Sequence, residues 1–157
     1  PNTTIYGYEP SHNTYTTLER NVEGLSNIYL NKMAVWNKKG KFKLNYGPEK
    51  RTGAFTLKSW DEDLGGEYVQ TTTIREIIAS NNLETIDILK MDIEAVELDV
   101  LFDVFSNPID FKIYNIFLEY HGEIVLNEIK KTFSALYDII EFNSNSQSQG
   151  VVLMVLS

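Results

Sequence analysis

The chain has no cysteine, which excludes disulfide staples, cysteine-based zinc sites and thiol nucleophiles together. Histidine is nearly as scarce, with two in 157 residues. No apolar run approaches the length that spans a bilayer, and no charged-then-apolar leader opens the chain. A soluble, intracellular, cytoplasmic domain is the expectation, with no membrane partner. Bases are outnumbered by acids, 14 against 22, for a formal charge of −8, so nucleic acid is not expected as a partner.

What is present describes an ordinary globular domain. Apolar residues make up 43% and charged residues 23%, outside the disordered and fibrous ranges. The length predicts one domain over residues 1–157. The bases are not spread evenly. Lys32, Lys38, Lys39, Lys41, Lys43, Lys50, Arg51 and Lys58 fall in one stretch with a single acid, Glu49, leaving the rest strongly acidic. Such a stretch could attract a phosphate-bearing substrate; the plainer reading is the solvated outer face of a hairpin.

A strand is predicted over Thr4–Tyr8, stopping at Glu9-Pro10 because proline lacks a donor and holds its predecessor extended. Tyr15, Leu18, Val22 and Leu25 then recur at helical spacing, with Ser11 as cap and Gly24 as stop. A second strand is predicted over 27–36. Alternation at Phe42, Leu44, Phe55 and Leu57 around a Gly/Pro-containing turn at 45–53 predicts antiparallel strands. Thr73 to Glu76 has the form of a capping box, opening a short helix. The strongest strand is Ile86–Met91, ending at Asp92 and followed by a helix with Val96, Val100, Leu101, Val104 and Phe105 on one face, stopped by Pro108. Next come a strand over 114–119, a helix carrying Val125, Leu126, Ile129 and Phe133, and two strands, 138–142 and 151–156, around a polar loop at 143–149. The order implies an α/β fold: one mostly parallel sheet covered by helices, with a C-terminal antiparallel hairpin.

Ligands of open parallel sheets collect at the carboxyl ends of the strands. Three strand ends carry acids here: Glu9, Asp92 and Glu119. Glu9 is placed to accept hydrogen bonds from a ribose diol, or is a solvated loop carboxylate. Asp92, Glu94 and Glu97 form the densest constellation. The expectation is that Glu94 and Glu97 share a face of the first helical turn, where acids also gather simply because the helix dipole favours them. If the strands ending at Asp92 and Glu119 are neighbours, their ends lie about 5 Å apart, so the two carboxylates would share a proton or hold a hard cation. His121 is a candidate proton acceptor or an ordinary polar loop residue.

The run Ile5-Tyr-Gly-Tyr-Glu-Pro10, then Leu18-Glu-Arg-Asn21, Met33-Ala-Val35 and Gly40, resembles the FkbM family of S-adenosylmethionine-dependent methyltransferases. Ile86-Asp-Ile-Leu-Lys-Met-Asp-Ile-Glu-Ala-Val-Glu-Leu98 resembles the family's signature, and Phe117-Leu-Glu-Tyr-His121 its next strand. The resemblance runs from Thr4 to about Gly122. It implies a seven-stranded Rossmann-like sheet in the order 3-2-1-4-5-7-6, with strand 7 antiparallel. It also implies S-adenosylmethionine as cofactor, with Glu9 on its ribose, Met33 and Ala34 beside its adenine and Asp92 near its methyl group. The implied partner is a small-molecule or glycan hydroxyl, and the implied activity is O-methyl transfer. Asp92, Glu119 and His121 are the candidate catalytic residues, with no dedicated metal ligands; Asp92 or His121 would take the hydroxyl proton, or a cation between Asp92 and Glu119 would acidify the hydroxyl.

Two departures qualify that reading. Ala95 stands where the family usually has glycine. The sequence also starts at the family's second strand, so the first strand and its glycine-rich loop are not found in it, and N-terminal incompleteness is expected. The strand edges at 5–8 and 88–91 should then be filled by each other, by a partner chain such as a second copy, or by further residues. Binding of S-adenosylhomocysteine by these residues alone is expected to be weak. The alternative function is a non-catalytic remnant or interaction module. A metal-dependent phosphate-handling site at Asp92–Glu94 is a third reading, without the partner motifs such sites carry.

Overall fold

The computed structural model describes residues 3–46, 55–57, 65–106, 110–143 and 149–157. They divide into two compact units, Pro1–Thr73 and Ile74–Ser157. The predicted turn at 45–53, the Pro108 helix stop and most of the polar loop at 143–149 lie largely outside the described residues, as do Lys50, Arg51 and Lys58.

In the first unit, β1 (Ile5–Tyr8) and β2 (Ile28–Asn31) pair in parallel, from Ile5 opposite Ile28 to Tyr8 opposite Asn31. Helix α1 (His12–Asn21) connects them, with Ser11 as its N-cap residue. The strand expected over 27–36 is in fact two. The Asn31 carbonyl accepts the Glu9 amide at 3.1 Å and the Met33 amide at 3.0 Å, and this three-residue turn at Lys32 ends β2. Beyond the turn, β3 (Ala34–Val35) joins a different sheet with β4 (Gly40–Tyr46), β5 (Phe55–Thr56) and β6 (Gly66–Thr72), in the order β3-β6-β4-β5. Its small core is Ala34, Leu44 and Val69, with Leu57 packed against it. Lys38 and Lys41, from the basic stretch, lie over the rings of Trp36 and Tyr68 at 5.2 and 5.8 Å.

The second unit runs α2 (Ile74–Asn81), β7 (Thr85–Met91), α3 (Glu97–Phe105), β8 (Lys112–His121), α4 (Glu123–Phe133), β9 (Tyr137–Asn143) and β10 (Gln149–Leu156). Its four strands pair in the order β7-β8-β10-β9. The β7–β8 pair is parallel, and β10 runs antiparallel to both β8 and β9. One sheet face carries Ile116, Leu118, Val152 and Met154, all wholly buried. Helices α3 and α4 meet through Phe133, whose ring lies 5.3 Å from that of Phe105. On the other face Ile88, Ile140 and Phe142 are exposed. No helix among the described residues is long and apolar enough to cross a membrane.

The fold is thus mixed α/β with a C-terminal antiparallel hairpin, but the strands do not form one sheet. They form three. Among the described residues β1 pairs only with β2, and β7 only with β8. A strand edge can be extended only by backbone offering free donors and acceptors in register, and no described segment does so for either edge.

Candidate active site

The parallel register sets Met91 opposite Leu118, so β7 and β8 end side by side. After Met91 the chain leaves through Asp92, Ile93, Glu94 and Ala95 before α3 begins at Glu97. Glu94 and Ala95 both adopt left-handed backbone, with φ of 53° and 72°. The expected sharing of one helical turn by Glu94 and Glu97 is therefore not found, because consecutive left-handed residues cannot belong to a right-handed helix. The turn instead folds over Glu97. Its carboxylate is 2% exposed, and its Oε1 accepts the Ala95 amide at 3.1 Å. An acid at the start of a helix is also favoured by the dipole.

His121 closes β8 and faces this turn. Its Nε2 lies 3.5 Å from Glu94 Oε2 and its Nδ1 3.8 Å from Glu97 Oε1. The His121 side chain is 20% exposed, yet Nδ1 itself is buried and has no hydrogen-bond partner among the described residues. Burial pushes the Glu97 carboxyl above its ordinary range; the charge of His121 and hydrogen bonds from backbone amides pull the other way. Burial likewise raises Glu94, opposed by His121 and reinforced by Asp92, Glu119 and Glu97. Glu94 thus lies within electrostatic reach of four side chains from the β7 turn, α3 and β8: Asp92, Glu97, Glu119 and His121. Asp92 is its open side, 48% exposed and 3.3 Å from Lys90 Nζ. Glu119 is half-buried, on the same sheet face as His121 by strand alternation. No cluster of three or more histidines and acids able to hold a metal ion occurs among the described residues.

The residues assigned to the cofactor belong to the first unit. Glu9 follows β1 and is half-buried; its Oε1 accepts the Ser11 amide at 2.7 Å. Its second oxygen has no donor among the described residues. Burial raises its carboxyl above the ordinary range, the Ser11 hydrogen bond lowers it, and Glu67 raises it further. Met33 is half-buried just past the parallel partner strand, at the same end of the pair as Glu9. Ala34 is 5% exposed and committed to the small core with Leu44 and Val69. S-adenosylmethionine fits this set in part. A free carboxylate oxygen at a parallel strand end suits a ribose diol, whereas no glycine-lined cradle for the methionine portion exists among the described residues.

The model of the methyltransferase FkbM domain matches residues 1–148. The chain belongs to the FkbM methyltransferase family. No curated protein and no solved structure matches it. The family relation accounts for a methyltransferase fold and for acids at strand ends. The signature run includes Glu97 as its closing acid, but neither the motif nor its place in the first turn of α3 announces its burial, which accompanies the left-handed turn at Glu94 and Ala95.

Proposed function

We propose that this chain provides part of an S-adenosylmethionine-dependent O-methyltransferase site that acts on a hydroxyl of a sugar or secondary metabolite. The observation that carries this reading is the set of Asp92, Glu119 and His121 around Glu94 at the carboxyl ends of two adjacent parallel strands, the end at which ligands of such sheets sit. S-adenosylmethionine would supply an electrophilic methyl group, and Glu9 would hold its ribose. The chain's own task is to align the acceptor hydroxyl and remove its proton. His121 suits proton removal better than Asp92, because Asp92 is half open to solvent and paired with Lys90. Asp92 and Glu119 then orient the hydroxyl. The strand order β7-β8-β10-β9 is compatible with half of a Rossmann-like sheet.

Calorimetric titration with S-adenosylhomocysteine tests this reading. Binding weaker than micromolar is expected, lowered at least tenfold further by Glu9→Gln. Equal binding by both chains would remove Glu9 from the cofactor site. Absence of binding at millimolar ligand would favour a non-catalytic interaction module.

A further inference from the structure

We propose that Glu97 is a positioning residue for His121: its buried carboxylate takes the Nδ1 hydrogen and so leaves Nε2 as the proton-accepting nitrogen. This rests on the reading of His121 as the group that takes the acceptor's proton.

Three observations carry it. The first is geometric. Nδ1 faces Glu97 Oε1 at 3.8 Å, while Nε2 faces Glu94 Oε2 at 3.5 Å. The two ring nitrogens thus look at different acids. The second is accessibility. Nδ1 is buried and has no hydrogen-bond partner among the described residues, and Glu97 is 2% exposed, whereas Glu94 is 33% exposed. Among the described residues, a hydrogen on Nδ1 has only Glu97 to go to; one on Nε2 can go to Glu94, to water or to an incoming ligand. The third is electrostatic. A bare nitrogen lone pair set against an ionised carboxylate is repelled; at Nε2 the partly exposed Glu94 can turn away to water, whereas at Nδ1 the buried Glu97 cannot, so a hydrogen on Nδ1 relieves the repulsion that has no other outlet. At 3.8 Å the pair is not yet hydrogen-bonded; such contacts are often long in the free protein and close on binding.

The arrangement gives the two glutamates different tasks. Glu97 is fixed from behind, because its Oε1 also accepts the Ala95 amide at 3.1 Å. It therefore fixes the ring's tautomer and orientation. Glu94 occupies the side of Nε2 that an acceptor hydroxyl must reach, and it has to yield that place. When the hydroxyl arrives, its proton passes to Nε2, the ring becomes an imidazolium, and the positive charge stands between Nδ1–H and the Glu97 carboxylate.

Ring-nitrogen chemical shifts of histidine-labelled protein test this without cofactor or substrate. His12 is the only other histidine, so His12→Gln assigns the signals. Above the ring's titration, neutral His121 is expected to carry its hydrogen on Nδ1, against the usual preference of free imidazole side chains for Nε2. Glu97→Gln keeps an oxygen acceptor and should retain that tautomer; Glu97→Met should reverse it; Glu123→Gln, at the start of α4, should leave it unchanged. An Nε2–H tautomer in the unsubstituted protein overturns the proposal, and this arm stands even if Glu97→Met fails to fold. An unchanged tautomer in a folded Glu97→Met protein overturns it too. The tautomer is read on the free chain, so failure here is distinguishable from failure to bind S-adenosylhomocysteine.

Discussion

The Ala95 amide donates to Glu97 Oε1 across 3.1 Å, and it can do so because Ala95 sits at a φ of 72°. The hydrogen bond and the strain belong to the same turn. A left-handed alanine costs about 1–2 kcal/mol. Glycine would remove that cost while adding about 0.4–1 kcal/mol of unfolded-state entropy. Ala95→Gly should therefore stabilise the chain by up to about 1 kcal/mol, a rise in Tm of about 2–4 °C. Thermal unfolding followed by circular dichroism checks this; a fall in Tm would mean that the turn is not held left-handed.

The buried carboxyls predict a direction for the pH dependence of stability. Glu94 and Glu97 are raised by burial, so between the ordinary glutamate value near pH 4.3 and their raised values the folded chain binds more protons than the unfolded one. Stability contributed by these groups then falls as pH rises through that window. Glu97→Gln mimics the protonated form, and its Tm should fall less than that of the unsubstituted chain as pH is raised from about 4.5 to 7. Parallel Tm–pH curves for the two proteins would show that burial of Glu97 does not govern its titration.

The elements with strong local signals were legible in the sequence. Ile86–Met91 reads as a strand because apolar, β-branched residues run up to Asp92, and the faces of α3 and α4 follow from helical spacing. The break at Lys32 was not legible, since no glycine or proline marks it: the Asn31 carbonyl makes the turn by gathering the amides of both Glu9 and Met33, and Glu9 is remote in sequence. The candidate residues were legible as residue types at strand ends, and the β7–β8 pairing sets the ends that carry Asp92 and Glu119–His121 side by side. Glu97 needed the backbone of Glu94 and Ala95 as well, and alanine does not advertise positive φ. Propensity and pattern act locally, whereas these two features depend on long-range contact and on strain.

Tyr137 ties the hairpin back to the start of β8. Its hydroxyl donates to the Ile113 carbonyl at 3.0 Å in a buried setting, beyond the last β8–β10 pair at Asn115 and Val155. Tyr137→Phe keeps the ring and removes the donor. A buried carbonyl left without it costs about 1–3 kcal/mol, so Tm should fall by several degrees. No change in Tm would mean that water replaces the hydroxyl there.

Gly150 stands directly opposite Tyr120 in the β8–β10 ladder, and a Cβ on it would lie 2.6 Å from Tyr120 Cζ. Tyr120 is 7% exposed and has little room to retreat. Gly150→Ala should cost about 1–3 kcal/mol through overpacking. The double variant Gly150→Ala with Tyr120→Leu should recover part of that loss, because the clash lies with the ring; an equal loss in both backgrounds would place the cost in the backbone of β10 instead.

Ile88 is 68% exposed on β7, whose far edge carries no strand among the described residues. An exposed apolar residue on an open edge invites pairing with another chain, and charged residues on such edges oppose it. Ile88→Lys is therefore expected to reduce concentration-dependent self-association, measured by sedimentation velocity, while changing stability by no more than about 0.5 kcal/mol. The two readouts separate two situations. A large loss of stability would show that Ile88 is covered in solution and that the edge is already occupied. Unchanged stability with unchanged association would show that the edge is open and yet makes no intermolecular pairs, and the self-association expected of it would be wrong.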